Sequence, residues 1–171
     1  GAKKVYSVDV GYGQIAWKLR TDKRVKVIEK VNVKNCKASD IYNEDDEYAS
    51  FVVMDLSFIS ITKVLPNIKN FTNKNGYEIV SLIKPQFESS KEQVGKNGIV
   101  RERETHINVI NNIINYCESI KLYVKGLTYS PIKGAKGNIE YLIYLSPLAS
   151  EKTDIDITSI VNGAHSSEFT N

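Results

Sequence analysis

The chain has 171 residues, with 23 Lys and Arg against 20 Asp and Glu, and therefore a net charge of +3. Its 42% hydrophobic and 25% charged residues are typical of one globular domain, which excludes intrinsic disorder and fibrous classes. No apolar run reaches the roughly 20 residues of a membrane-spanning helix. The two cysteines, Cys36 and Cys117, favour reduced thiols in a cytoplasmic protein over a disulfide framework or a zinc site.

The charge is distributed unevenly along the chain. Residues 1–37 carry +7 and residues 56–136 carry +6, whereas residues 40–55 carry −6 and residues 137–171 carry −4. Such blocks are typical either of a solvated surface of alternating sign or of a basic face that binds a polyanion. The charge pattern alone leaves both interpretations open.

The first third of the chain alternates short strands with loops and helical turns. A strand is predicted at Val5–Val10, followed by one or two helical turns at Gln14–Arg20 and a second strand at Val25–Ile28. The acidic Asn43–Glu47 segment indicates an exposed loop or a helix end. The continuous apolar run Phe51–Met54 predicts a third strand that helices cover on both faces.

The rest of the chain continues the alternation and then closes with a hairpin. Apolar residues at helical spacing (Ile61, Val64, Leu65, Ile68) predict a helix that stops before Gly76. The remaining predicted elements are a strand at Ile79–Ile83, a loop from Pro85 to about Val100, a helix at Glu104–Ser119, antiparallel strands at Leu122–Thr128 and Glu140–Leu145, a helix spanning Ile157 to Ala164, and a frayed tail at Ser166–Asn171. The helix at Glu104–Ser119 is predicted to bury Ile107, Ile110, Ile113, Ile114 and Cys117.

This order of elements predicts an α/β fold, with an open, mostly parallel sheet and one antiparallel edge strand. Ligands of such sheets bind beyond the carboxyl ends of the strands, where this sequence places polar residues. Asp9 lies at the end of the first strand and is suited either to the hydroxyls of a ribose or to capping the next helix. Asp55 follows the third strand directly and is costly there unless it is paired or faces a cleft.

Lys84 and Glu140 are two further polar residues at strand ends: Lys84 follows the fourth strand, and Glu140 lies at the mouth of the hairpin. Pro85 holds Lys84 in extended geometry, and a partly desolvated lysine has a lowered pKa that suits proton abstraction. The alternatives are a lysine at the sheet edge that extends its ammonium into solvent and a solvated glutamate in the hairpin. Asp55, Lys84 and Glu140 could share one edge of the sheet, where two acids would keep the lysine charged until a substrate displaces water.

Six motifs that occur in order make the sequence recognisable: Val8–Gln14, Asp55–Ser60, Leu82–Glu88, Gly95–Val100, Ser130–Gly134 and Gly137–Tyr141. Together they resemble the TlyA-type haemolysin family of ribosomal RNA 2′-O-methyltransferases, whose catalytic domain is FtsJ-like. The resemblance runs from Gly1 to about Leu145. It implies a Rossmann-like sheet and an S-adenosylmethionine-dependent transfer of a methyl group to a ribose 2′-hydroxyl.

The resemblance also implies roles for individual residues. The family uses a Lys-Asp-Lys-Glu tetrad, whose last three members match Asp55, Lys84 and Glu140. In that scheme Lys84 assists deprotonation of the 2′-hydroxyl, Asp55 orients it and Glu140 supports the positive cluster. The implied residues of the methyl-donor site are Asp9, Val10, Asn32, Val33 and Asp55. Asp9 would bind the ribose of the donor, and the segment around Asn32 would line the adenine. The alternative for Asn32 is a turn residue without a binding role.

The front of the chain departs from the family pattern. The family carries an S4-type RNA-binding domain, the first tetrad lysine and a glycine-rich loop after the first sheet strand, and these are not in this sequence. We therefore expect an N-terminally truncated methyltransferase domain at residues 1–147, lacking its first strand, and a C-terminal helix and tail at residues 148–171. Its exposed strand edges, near Val5–Val10 and Phe51–Asp55, are predicted to favour self-association.

The resulting hypothesis is an inactive fragment of a ribosomal RNA 2′-O-methyltransferase that works in the cytoplasm. Its expected partners are ribosomal RNA or a ribosomal subunit rather than DNA, because only RNA carries the 2′-hydroxyl. One alternative is an RNA- or ribosome-binding remnant without enzymatic activity. Another is a membrane-lytic haemolysin, which the short, acidic terminal helix does not favour.

Overall fold

The computed structural model describes residues 1–149 and 153–169, which fall into two units. The first unit contains Gly1–Ala49 and Val64–Asn73, and the second contains Ser50–Lys63 and the described residues from Lys74 onward. Each unit has a β-sheet of its own.

Two short parallel strands form the sheet of the first unit. β1 (Val5–Val8) pairs with β2 (Val25–Ile28) over their whole length. The helices of this unit are single turns: α1 (Trp17–Arg20), α2 (Ala38–Ile41) and α3 (Leu65–Ile68). Asn67 in α3 donates hydrogen bonds of 2.8 Å from Nδ2 to the carbonyl oxygens of Val33 and Cys36. These bonds fix the loop that follows β2.

Four strands form the sheet of the second unit, in the order β3-β4-β6-β5. The strands are β3 (Phe51–Met54), β4 (Glu78–Ile83), β5 (Tyr123–Tyr129) and β6 (Tyr141–Ser146). β3 runs parallel to β4, and β6 runs antiparallel to both of its neighbours. Three strands therefore point one way and β6 points the other.

Helices cover one face of this sheet. The two longer helices, α5 (Arg103–Ser119) and α6 (Ile157–Ser166), pack against the sheet. The unit also contains the single-turn α4 (Pro85–Glu88) and 3-10 turns at Ile61–Lys63, Lys96–Gly98 and Ala135–Gly137. Every second residue of β4 and β6 is buried on the covered face, where Tyr141 meets His106 of α5. Among the described residues, no helix is both long and apolar enough to cross a membrane.

The predicted α/β class with a mostly parallel strand arrangement is confirmed. The antiparallel strand differs in position, because β6 lies between β4 and β5 and leaves β5 at the edge. The hairpin explains this placement, since β6 turns back from β5 and also hydrogen-bonds to β4. Two strands, Val25–Ile28 and Phe51–Met54, have the predicted bounds.

Several helices differ from their predictions. Helical structure near Gln14 is limited to α1, which begins at Trp17. The helix predicted across 61–68 is split into a 3-10 turn and α3, because Pro66 has no N–H to continue the hydrogen bonding and is tolerated only in the first turn of a helix. In α5, Ile107 and Ile114 are only half-buried, while His106 and Val109 belong to the core. Of the predicted C-terminal segment, residues 150–152 and 170–171 lie outside the described part.

The outer edges of both sheets have no strand partner within residues 1–149 and 153–169, those of β1 and β3 among them. β1 pairs only with β2 in the first unit, and β3 pairs only with β4 in the second. Apolar side chains of β3 are also open to solvent, since Phe51 is 53% exposed and Val53 is 73% exposed. Each unit therefore presents a strand that can accept further backbone hydrogen bonds.

Candidate active site

Lys84 lies at the carboxyl end of β4, where the strand register brings it opposite Glu140. The last pair of the β4–β6 ladder is Ile83 with Tyr141, so Lys84 and Glu140 are the next pair beyond it. Lys84 keeps an extended backbone, and the buried Pro85 begins α4 directly after it. The sheet thus sets the position of Lys84, and the proline prevents the strand from continuing.

Asp55 forms an ion pair with Lys84. The Lys84 Nζ atom lies 2.5 Å from Asp55 Oδ1 and 3.4 Å from Ser57 Oγ. The Lys84 side chain is only 13% exposed, whereas that of Asp55 is 71% exposed. A largely buried lysine side chain therefore places its ammonium group next to a carboxylate that solvent or a ligand can reach, an arrangement suited to stabilising a developing negative charge.

Phe58, three residues after Asp55, combines backbone strain with exposure. Its φ of 63° lies in the left-handed region that side chains other than glycine rarely adopt, and its side chain is 90% exposed. Its ring centroid lies 4.9 Å from that of Phe87. Strain kept at an exposed aromatic residue is typical of functional loops, and the ring offers a surface on which an unpaired base can stack.

Glu140 is buried at the start of β6, with 6% of the residue exposed. Its Oε1 accepts a hydrogen bond of 3.0 Å from Gln86 Nε2. Gly134 lies against the carboxylate so closely that a Cβ atom there would be 2.0 Å from Oε1. Within the part of the chain that the structure describes, Lys84 pairs with Asp55 and not with Glu140.

Glu88, at the end of α4, joins the loops that carry Lys84 and Asp55. Its Oε1 accepts a hydrogen bond of 2.8 Å from the backbone N–H of Ile61, in the 3-10 turn after the Asp55 loop. Burial raises the pKa of Glu88, and hydrogen bonds from Ser60 and Ile61 oppose this effect. Phe58, Gln86 and Glu88 have no role predicted from the sequence, although all three lie in the six family motifs.

The predicted donor-site residues Asp9, Val10, Asn32 and Val33 belong to the first unit. The Asp9 carbonyl accepts a hydrogen bond of 3.1 Å from the Val31 N–H, so the ends of β1 and β2 meet there. Asp9 Oδ1 accepts from the Gly11 N–H at 2.6 Å, and Asn32 Oδ1 from the Lys34 N–H at 3.0 Å. Asp9 therefore braces a turn rather than capping a helix at Gln14, and no described residue donates to its second oxygen.

Two lysine-bearing loops are joined to each other, and one of them contacts Glu140 through Gly134. Loop 89–98 and loop 131–137 expose Lys91, Lys96, Lys133 and Lys136. Asn138 joins the two loops, donating from Nδ2 to Gly98 O at 2.9 Å and accepting at Oδ1 from Val100 N at 3.2 Å. The second unit therefore has a cluster of fixed positive loops suited to a polyanion.

Comparison with known proteins places the chain among methyltransferases and proteins named haemolysins. Residues 1–146 match the family described as "FtsJ-like methyltransferase". The chain is 47% identical over 145 residues to "Hemolysin A" of Brachyspira hyodysenteriae, covering 84% of this chain and 58% of that protein. It is 38% identical over 145 residues to "16S/23S rRNA (cytidine-2'-O)-methyltransferase TlyA" of Mycobacterium tuberculosis, covering 85% of this chain and 52% of that protein.

A solved structure described as "Putative hemolysin from Streptococcus thermophilus" superimposes with a TM-score of 0.88 at 41% sequence identity. The match covers 96% of this chain and 59% of that structure. The chain thus spans a little more than half the length of the curated relatives reported above.

Proposed function

Because this chain belongs to the FtsJ-like methyltransferase family, we propose that it carries the catalytic centre of a ribosomal RNA 2′-O-methyltransferase. The observation that carries this proposal is the end of β4, where Lys84 pairs with Asp55 and lies opposite the buried Glu140 in the strand register. These three residues match the last three members of the family's tetrad.

In the proposed reaction Lys84 acts on the ribose 2′-hydroxyl. Its side chain is largely buried and holds the ammonium group at the end of β4, so the positive charge favours transfer of the hydroxyl proton to water and stabilises the oxyanion that then attacks the donor methyl group. Asp55 is exposed beside it and orients the hydroxyl by accepting a hydrogen bond. The buried negative charge of Glu140 supports the positive charge of Lys84 from the neighbouring strand.

The methyl donor of the family is S-adenosylmethionine, which supplies an electrophilic methyl group when bound. We propose that Asp9, Val10, Asn32, Val33 and Asp55 hold it. The available oxygen of Asp9 suits this role, because a carboxylate at the end of a nucleotide-binding strand accepts hydrogen bonds from ribose hydroxyls.

The proposed substrate is RNA in a single-stranded or locally opened state. The exposed lysines of loops 89–98 and 131–137 attract the phosphate backbone, and the exposed ring of Phe58 next to Asp55 can stack on a base. DNA cannot serve as the methyl acceptor, since it has no 2′-hydroxyl. We therefore propose ribosomal RNA or a ribosomal subunit as the partner and the cytoplasm as the location.

Methyl transfer to ribosomal RNA tests this function. The product of the complete reading frame that contains this sequence is incubated with radiolabelled S-adenosylmethionine and ribosomal subunits, and the RNA is digested to identify 2′-O-methylnucleosides by mass spectrometry. We expect transfer by the wild type and its loss in Lys84→Ala, while Lys74→Ala retains it, because Lys74 is exposed and precedes β4 at the opposite end of the strand. If neither subunit receives a 2′-O-methyl group, the proposal is wrong.

A second candidate function is RNA binding without catalysis, which the clustered loop lysines favour. Isothermal titration of this chain with S-adenosylmethionine separates the two candidates. Binding in the micromolar range supports the enzyme, whereas RNA binding without binding of the methyl donor supports the second function. We further propose that the open strand edges of β1 and β3 permit self-association.

A further inference from the structure

The segment Lys84–Glu88 reaches several loops through consecutive side chains. Lys84 contacts Asp55, Phe87 stacks near Phe58, and Glu88 accepts a hydrogen bond from the Ile61 amide. Gln86 is the member that reaches the Glu140 side of the site. Its backbone is fixed on both sides, because Phe87 N–H donates to Lys84 O at 2.8 Å and Ser89 N–H donates to Pro85 O at 2.9 Å.

The orientation of the Gln86 amide follows from the chemistry of its partner. A carboxylate accepts hydrogen bonds and does not donate them, so Nε2 must face Glu140. The reverse orientation would place two oxygens about 3 Å apart and repel. The orientation has a cost, since Gln86 Oε1 is buried and receives no hydrogen bond from the described residues. A glutamine that served only to stabilise the fold would be expected to satisfy both ends of its amide.

The surroundings of Glu140 make the Gln86 contact decisive for the position of the carboxylate. The Gly134 α-carbon blocks movement to one side, because even one added carbon there would overlap Oε1. Gln86 Nε2 holds the same oxygen from another direction. Gln86 is uncharged, so it fixes the carboxylate without cancelling the negative charge that faces the end of β4.

We propose that Gln86 is a positioning residue of the methyltransferase centre, acting through Glu140. This inference rests on the proposed function: Gln86 holds the Glu140 carboxylate in place at the end of β6 that lies opposite Lys84 in the strand register, and so maintains the field that favours loss of the 2′-hydroxyl proton. Gln86 makes no contact with the reacting atoms in this role.

The test uses Gln86→Met, which keeps the length of the side chain and removes the donor. The enzyme is the product of the complete reading frame that contains this sequence. Loss of a hydrogen bond to a charged group corresponds to a decrease of roughly 10- to 100-fold in kcat, while KM for RNA changes by less than about twofold because the contact does not involve RNA binding. The control is Asn115→Met, since Asn115 is an exposed amide residue on α5 with no part in the proposed site.

Two further variants separate positioning from a general structural role. In Gln86→Glu, two carboxylates about 3 Å apart share a proton, so the acid limb of the kcat profile moves to higher pH. In a Glu140→Gln background, Gln86→Met should cause little further loss, because the group through which it acts is already neutral. Three results would each overturn the inference. They are an equal loss of kcat on Gln86→Met in the wild-type and Glu140→Gln backgrounds, a pH profile of Gln86→Glu that matches the wild type, and an unchanged kcat in Gln86→Met.

A measurement independent of activity distinguishes failure of this inference from failure of the proposed function. The side-chain amide resonances of Gln86 are followed by ¹⁵N NMR in the wild type and in Glu140→Ala, with those of Gln93 as the internal reference. We expect a clear shift of the Gln86 pair alone. If the pair shifts but no protein variant methylates RNA, the function is wrong and the contact stands; if the pair does not shift, the inference about Gln86 is wrong.

Discussion

Gly134→Ala is expected to displace Glu140 without straining the backbone. Gly134 has φ −72° and ψ −174°, which alanine adopts readily. The added Cβ would lie 2.0 Å from Glu140 Oε1 and 2.4 Å from Cδ, whereas real Cβ contacts are essentially never below 3.0 Å. The carboxylate must therefore move by about 1 Å, a displacement that can cost about 100-fold in rate at a catalytic group.

The effect on stability can be estimated from the same contacts. Overpacking costs about 1–3 kcal/mol, and weakening the hydrogen bond from Gln86 costs about 1.5–3 kcal/mol. Replacing glycine by alanine returns about 0.4–1 kcal/mol through the unfolded chain. We therefore expect the free energy of unfolding in urea to fall by about 2–5 kcal/mol.

A second background identifies the clash as the cause. In Glu140→Ala the carboxylate is gone, so adding Gly134→Ala should be neutral or stabilising by up to about 1 kcal/mol. Gly126→Ala is the control, because its Cβ would make an ordinary contact of 3.9 Å with Tyr144. A Gly134→Ala protein with wild-type stability and wild-type methyl transfer would refute the reasoning.

Three other features give testable predictions. Burial lowers the pKa of His106 below its ordinary value of 6.5, so the unfolded chain binds a proton first as the pH falls. The free energy of unfolding should therefore decrease as the pH falls below about 6.5. Urea titrations from pH 5 to 8 measure this dependence, and the free energy should change less steeply with pH in His106→Gln. An equally steep change in the variant would contradict this prediction. Tyr141→Phe removes the hydroxyl that lies 2.8 Å from His106 Nδ1, and it should lower the free energy of unfolding by about 1–3 kcal/mol in the same assay. A variant as stable as the wild type would contradict this prediction. Val53→Lys places a charge on the exposed strand β3 and should reduce any self-association that analytical ultracentrifugation detects in the wild type. If the wild type associates and the variant sediments in the same way, β3 is not the contact.

The sequence predicted the elements that local patterns define. Phe51–Met54 is a continuous apolar run, and its strand has the predicted bounds. The single-turn helix α2 was missed because four residues cannot show a helical period. The sequence predicted that Ile107 would be buried in α5, but its neighbour His106 takes that place. A histidine is expected at the surface unless both ring nitrogens have hydrogen-bond partners, which Tyr141 and Val100 provide here.

The candidate site could be predicted only in part for a similar reason. Polar residues at strand ends placed Asp55 and Lys84 at one edge of the sheet, and the structure puts them in contact. The partner of Glu140 was not predictable, because Gln86 lies 54 positions away in the sequence and their contact depends on the β4–β6 register. Local patterns contain no information on that register, which arises from packing of the whole sheet.

The insertion of β6 between β4 and β5 has a consequence for the order of synthesis. β6 is the last strand of the sheet to leave the ribosome, and β5 has no ladder with β4 of its own. A nascent chain that ends after Tyr129 therefore leaves β4 without its antiparallel neighbour and Lys84 without Glu140. The same short stretch of translation adds the second neighbour of β4 and places Glu140 opposite Lys84, so this edge of β4 stays open in the nascent chain until β6 has been made.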